Sequence, residues 1–381
     1  MSLRRFLPGL VVLLVGCGPK PLPPQSPLDT APLHYRRGLA LLEERQLEAA
    51  EREFGRARAL DPHFVGVSVG EALLAAARGD FDAARRQVDV ALQRDNRYAP
   101  AWIAAGRVTM AAAAAREQDP EQWLGEATRA FRRAGELAPD DPEVPYRLGR
   151  AYEQALDLKQ AEAALARAVE ANRSPWTEQA MARLERLQQA ERATPGTRVG
   201  LRLALKDTLT RAELTVLLVE ELKLVQLVAQ RRGGAAPGAF SAPGAAAPGA
   251  SPVVATDLGS CWAAPWVRAA LACGVTGLET YPDSTFRPEQ PLTRADAAQA
   301  LQGLLLLLTP DASLATRYQG EASRFTDLRA DSYAYNAAAL VTERGLMAAD
   351  QQGRFRPQGP VAGAEVLLAV RLLQNAFRME F

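Results

Sequence analysis

Gly38, Ala72 and Gly106 stand 34 residues apart, and a similar pattern follows each of them. After the first come Ala50, Phe54, Ala57 and Pro62; after the second, Ala84, Val88 and Ala91; after the third, Ala127, Phe131, Ala134 and Pro139. A fourth stretch carries Leu148, Gly149, Tyr152, Ala161, Leu165 and Ala168. A unit of this period cannot bury its own apolar face, so copies must stack on one another. The spacing predicts two antiparallel helices per copy over 31–173. The small residue lets the helices approach, the aromatic fills the gap between hairpins, and proline ends the second helix. The third copy holds about nine extra residues around Arg116 to Leu124, which predicts a longer inter-helix turn. The second has Asn96 at the position of Pro62 and Pro139.

This pattern resembles the tetratricopeptide repeat, a helix–turn–helix unit that builds solenoids. The resemblance implies a concave face made by the first helices, which would take a protein or peptide partner. Tyr35, Arg36, Glu71, Arg107, Arg147 and Arg150 are the residues expected there. The plainer reading makes most of them solvated helix surface.

A second unit recurs further along. One copy, over 254–310, reads Asp257-Leu258, Trp262-Ala263, an apolar helix through Val267 and Leu271, and Gly274-Val275. A Tyr281-Pro282-Asp283-Ser284 turn, Phe286-Arg287-Pro288 and Thr293-Arg294-Ala295-Asp296 complete it. Another, over 323–378, reads Phe325-Thr326-Asp327-Leu328, Tyr333-Ala334, Gly345-Leu346, Gly353, Phe355-Arg356-Pro357 and Ala362-Gly363-Ala364-Glu365. An eroded first copy over 174–228 retains Trp176 and Thr210-Arg211-Ala212-Glu213. Between them, Gly233 to Val253 is rich in Ala, Gly and Pro and uncharged, a composition expected of a disordered loop within 229–253.

The order of these residues resembles the S-layer homology module, three copies of which form a pseudo-threefold helical unit. The fold class expected is therefore all-α, a helical solenoid followed by this mostly helical domain. The resemblance implies binding of cell-wall polysaccharide or peptidoglycan in grooves between copies, often through an acidic sugar. It assigns Arg211 and Arg294 to that ligand, since a guanidinium fork matches a carboxylate in two parallel hydrogen bonds. Trp262 offers a flat face to a sugar, although its residue type reads more readily as core. Gly363 takes the arginine position of the last copy, so that site is expected to be dead or altered. The same segments read independently as capping boxes, with Thr210 and Thr293 as N-caps and Glu213 and Asp296 three residues on. The arginines are then left for a ligand or for solvent.

The chain opens with Arg4 and Arg5, an apolar run from Phe6 to Val15, and Leu14-Val15-Gly16-Cys17. Such a run is too short for a bilayer, which needs roughly 20 residues. It resembles a bacterial lipoprotein signal over 1–16, with Cys17 lipidated and 17–30 a proline-rich tether. The expected location is the cell envelope, and Gly18 after the cysteine favours the outer membrane, facing the periplasm. The net charge of +1 argues against nucleic acid as a partner. Cys261 and Cys273, on a mainly helical segment, read as packed thiols. Gly66-Val67-Ser68-Val69-Gly70 fits a nucleophile-elbow pattern, but both histidines, His34 and His63, precede it, the wrong order for that chemistry. Neither a metal constellation nor a nucleotide-binding glycine loop is present, so no cofactor and no enzymatic activity is expected. The sequence thus reads as a non-catalytic envelope scaffold. The alternative is a pilotin-like assembly factor for an outer-membrane complex, with the second half purely structural.

Overall fold

A computed structural model describes residues 22–231 and 255–379; the signal segment, Cys17 and Gly233–Val253 lie outside them. Every regular element among the described residues is helical, apart from two isolated β-bridges. The chain divides into two compact units, Met1–Met181 and Ala182–Phe381. No helix among the described residues is long and apolar enough to cross a membrane.

The first unit is an array of helical hairpins. These are α1 (Ala31–Glu43) with α2 (Leu47–Leu60), α3 (Val65–Ala77) with α4 (Phe81–Arg94), α5 (Ala99–Ala115) with α6 (Pro120–Leu137), and α7 (Glu143–Gln154) with α8 (Leu158–Glu170). The first helices of successive hairpins also touch, α1 on α3, α3 on α5 and α5 on α7. Close approach depends on glycine. A Cβ at Gly38 or at Gly70 would each stand 2.4 Å from Cε1 of Phe54, and one at Gly106 would stand 2.5 Å from the Phe131 ring. Phe54 therefore wedges between its own hairpin and the next, and both phenylalanines are almost completely buried. Burying such a side chain is worth about 1.5–3 kcal/mol. Each hairpin turns through one left-handed residue, at Arg45, Gly79, Glu117 and Leu156. The Asp80 and Asp157 side chains cap α4 and α8 by accepting from Ala83 N and Gln160 N.

Most of the extra residues of the third hairpin lie outside its turn, which spans 116–119 and is one residue longer than the others. They lengthen both helices, to 17 and 18 residues. The reason is apolar: the added turn of α6 buries Trp123, which is 3% exposed, and so extends the core instead of looping into water.

Helix α9 (Trp176–Arg192) contains the division between the units. The second unit continues with α10 (Arg198–Ala204), α11 (Arg211–Glu220), α12 (Leu224–Arg231), α13 (Ala264–Cys273), α14 (Arg294–Leu308), α15 (Tyr335–Glu343) and α16 (Gly363–Met379). Three residues in corresponding positions just before α11, α14 and α16 meet at its centre: Leu209, Leu292 and Val361, each at most 1% exposed. Leu209 N donates to Val361 O at 3.2 Å and Leu292 N to Leu209 O at 2.7 Å. Both capping boxes form, Thr210 with Glu213 on α11 and Thr293 with Asp296 on α14. No disulfide joins Cys261 and Cys273; Cys273 is buried in the core.

Candidate functional site

The two arginines stand at the starts of α11 and α14, and each reaches a turn further along the chain. Arg211 Nε donates to Phe286 O and its Nη2 to Glu279 O, both at 3.0 Å. Its guanidinium lies 4.8 Å from the Phe286 ring centre and 5.0 Å from that of Tyr281. Arg294 repeats the arrangement. Its Nε donates to Phe355 O and its Nη2 to Ala348 O, both at 2.7 Å, with the guanidinium 5.0 Å from the Phe355 ring centre. Backbone bonds run beside each, Arg211 N to Gln290 O, Ala212 N to Pro288 O, Arg294 N to Gly359 O and Ala295 N to Pro357 O. The sequence leaves these arginines for ligand or solvent, whereas in the structure Nε and Nη2 of each donate to carbonyls. Arg211 is only 6% exposed. Such hydrogen bonds to a charged group are worth about 1.5–3 kcal/mol each, so the pair ties α11 and α14 to the segments around Phe286 and Phe355.

The carbonyls are aimed by a turn whose role the sequence reading did not assign. Asp257 accepts from Phe286 N and Arg287 N at 2.8 and 2.7 Å, and Asp327 accepts from Phe355 N and Arg356 N, both at 2.8 Å. Arg287 and Arg356 are left-handed, with φ of 57° and 56°. The visible signal was the Asp-Leu and Phe-Arg-Pro pair, recurring at nearly the same separation in two copies. The Asp350 carboxylate is held far below the usual carboxylate range by the N–H of Arg354, with the Arg354 side chain, Gln352 N–H and Arg356 adding to it.

The third junction is built differently. A Cβ on Gly363 would stand 1.8 Å from Leu203 O, and Gly363 N donates to Lys206 O at 2.9 Å. Closure comes instead from the Glu221 carboxylate, 2% exposed. It accepts from Gly196 N, Thr197 N and Thr197 Oγ1, and pairs with Arg371 of α16.

Trp262 is not core. It is 50% exposed, its ring 5.7 Å from that of Trp266, whose Nε1 donates to Glu220 at 2.7 Å. The corresponding Tyr333 is 70% exposed. Trp176, in the first unit, stacks 5.1 Å from Tyr146 with the Arg147 guanidinium 4.9 Å from its ring centre.

In the first unit, the residues expected on the concave face have separate fates. Tyr35 is buried against Phe54 and Phe64, which removes it from the open surface. Arg36 is exposed. Glu71 pairs with Arg58, and Arg150 lies 3.3 Å from Glu153. Arg107 and Arg147 converge on Glu43 at 2.8 and 2.9 Å, and Arg147 also holds Glu143 at 2.9 Å, so the cluster links α1, α5 and α7. Burial pushes the Glu43 carboxyl up, but Arg107 and Arg147 outweigh it and leave it below its ordinary value. A groove of about 550 Å³ lies elsewhere, floored by Val88, Leu92 and Trp102 and rimmed by Arg85, Asp89, Glu126, Arg129 and Arg133. Ser68 of the elbow-like segment is buried inside α3, with no strand leading into it. Among the described residues, no group of His, Cys, Asp and Glu is arranged to hold a metal ion.

The S-layer homology domain model matches residues 256–298 and 324–367. The chain carries an S-layer homology domain in its C-terminal part. The two matched segments contain both turns that receive Arg211 and Arg294. Such domains bind cell-wall polymers, which associates this chain with the cell envelope. A search of curated proteins found no match.

Proposed function

We propose that the protein is a non-catalytic lipoprotein scaffold that holds a protein partner beside the cell wall. The observation that carries this reading is the pair of S-layer homology matches over the second unit. The polymer meets the module beside Arg211 and Arg294, where one copy reaches into the next, and the exposed rings of Trp262 and Tyr333 offer flat faces to sugars. The hairpin array is read as tetratricopeptide repeats. Its open surface, including Arg36 and the arginine-rimmed groove on α4, α5 and α6, takes the partner. Cys17 carries the lipid anchor on the periplasmic side of the outer membrane. Two or more attachments in one chain raise the local concentration of each, so modest wall affinity suffices.

The test is co-sedimentation of the chain from Gly18 onward with purified sacculi. The chain pellets with sacculi and stays in solution without them. Recovery in the supernatant at low salt would overturn the wall-binding reading.

A further inference from the structure

The segment before α1 is fastened to the first hairpin. Leu22 N donates to Ala59 O at 2.7 Å, near the end of α2. Asp29 N turns back to Ser26 O at 3.0 Å, and the Asp29 carboxylate accepts from Gln25 N at 2.7 Å. The same carboxylate accepts from Nε of Arg56 on α2, at 3.2 Å, and from its Nη2. Two parallel bonds from a guanidinium fix direction as well as distance. His34 of α1 stands between two acids, its Nε2 2.8 Å from Asp29 and its Nδ1 2.5 Å from Glu53 of α2. Arg56, with the Gln25 N–H and His34 adding to it, holds the Asp29 carboxyl far below its ordinary value. Leu22 to Asp29 is therefore a strap bonded to the hairpin at both ends.

The outward side of this strap is apolar. Every residue from Leu22 to Leu28 is exposed, and none of them is charged. Leu22 is 52% and Leu28 73% exposed, so the strap holds two large aliphatic side chains out in water. The length of chain back to Cys17 says what can cover them. Five residues separate Cys17 from Leu22, and that many span at most roughly 18 Å however they run. With acyl chains on Cys17 buried in a bilayer, Leu22 stays within that distance of the lipid. Fastening thus shortens the leash from residues 17–30 to residues 17–22.

We propose that the outer side of the strap is a membrane-contact surface, with Leu22 and Leu28 entering the lipid interface. This rests on the lipid-anchor reading of Cys17 and adds to it. An anchor alone lets the hairpin array swing, whereas two leucines seated in the interface fix which end of the first hairpin faces the bilayer. Neither leucine would hold a soluble chain to lipid; the anchor keeps them at high local concentration beside it.

The experiment places the acylated full chain in vesicles of phosphatidylethanolamine and phosphatidylglycerol that contain a nitroxide-labelled lipid, which quenches a fluorophore only near contact. A bimane label is attached at Ser26→Cys in the strap or at Glu48→Cys at the start of α2, each with Cys261→Ser, since Cys273 is buried. Glu48 lies eleven residues before Ala59, roughly 16 Å back along α2. The Ser26 label is quenched strongly and the Glu48 label hardly at all. Adding Leu22→Ser and Leu28→Ser lowers the contacting fraction about tenfold, the scale set by half-burying two leucines. Its thermal melt is unchanged, because both side chains are exposed. Equal quenching at the two labels overturns the contact, and so does Ser26 quenching that the serines leave intact. Mass spectrometry of the same preparation reads the state of Cys17. An acylated chain whose Ser26 label escapes quenching overturns the contact and leaves the anchor standing. A chain without acyl groups refutes the anchor reading, and the contact falls with it.

Discussion

Substituting Gly363 with alanine tests how closely the start of α16 packs on α10. The new Cβ would lie 1.8 Å from Leu203 O, 2.6 Å from Leu203 C and 3.1 Å from Ala204 Cα. A carbon and a carbonyl oxygen ordinarily rest no closer than about 3.3 Å, so the two backbones must separate by roughly 1.5 Å. No rotamer change relieves this, because every clashing atom is main chain. Overpacking of this kind costs about 1–3 kcal/mol. Stretching the Gly363 N–Lys206 O bond adds about 1 kcal/mol. The alanine recovers about 0.5–1 kcal/mol as a better helix residue. The net is a loss of about 1–3 kcal/mol, which for a unit of this size lowers its transition by about 2–12 °C. The assay is differential scanning calorimetry of the chain from Gly18 onward. Gly125→Ala is the control, because a Cβ there meets nothing within 4 Å on an interior turn of α6, and it raises the first unit's transition slightly. A Gly363→Ala transition at or above wild type refutes the close approach. The same contact explains why this copy lacks the arginine: any side chain at 363 starts with that Cβ.

Two further outcomes are expected. Glu221→Ala leaves Arg371 without its buried partner and two backbone N–H groups without an acceptor, so it destabilises the second unit by about 3–5 kcal/mol; chemical denaturation that finds no loss counts against this closure. Asp350→Asn removes a partly buried carboxylate whose folded pKa lies far below its unfolded value near 4. Its stabilisation is full above about pH 5 and is lost as the pH falls through the folded value. Melts should therefore separate wild type from variant at pH 7 and bring them together as the solution is acidified below pH 4; a gap that is as wide at low pH excludes the carboxylate as its source.

The sequence by itself determined the helices and their order. Periodic small and apolar residues leave no other way to bury the hairpins, and Thr-x-x-Glu or Thr-x-x-Asp marks helix starts through local bonds alone. It also marked Arg211, Arg294 and Gly363 as corresponding positions, since these belong to repeated strings. Tertiary structure decided what those positions do. Arg211 acts on Phe286 O, 75 residues away, and Arg294 on Phe355 O, 61 residues away, contacts that no spacing within one copy reveals. Glu365 follows Gly363 as Glu213 follows Arg211, yet it pairs with Arg294 of α14, a contact 71 residues away. Trp262 read as core by residue type, yet its neighbours leave half of it in water. Tyr35 read as surface by helix position, yet it is enclosed by Phe54 and Phe64. Helices are set by interactions a few residues long, which a sequence displays directly, whereas burial and charge pairing depend on which helix arrives from elsewhere in the chain.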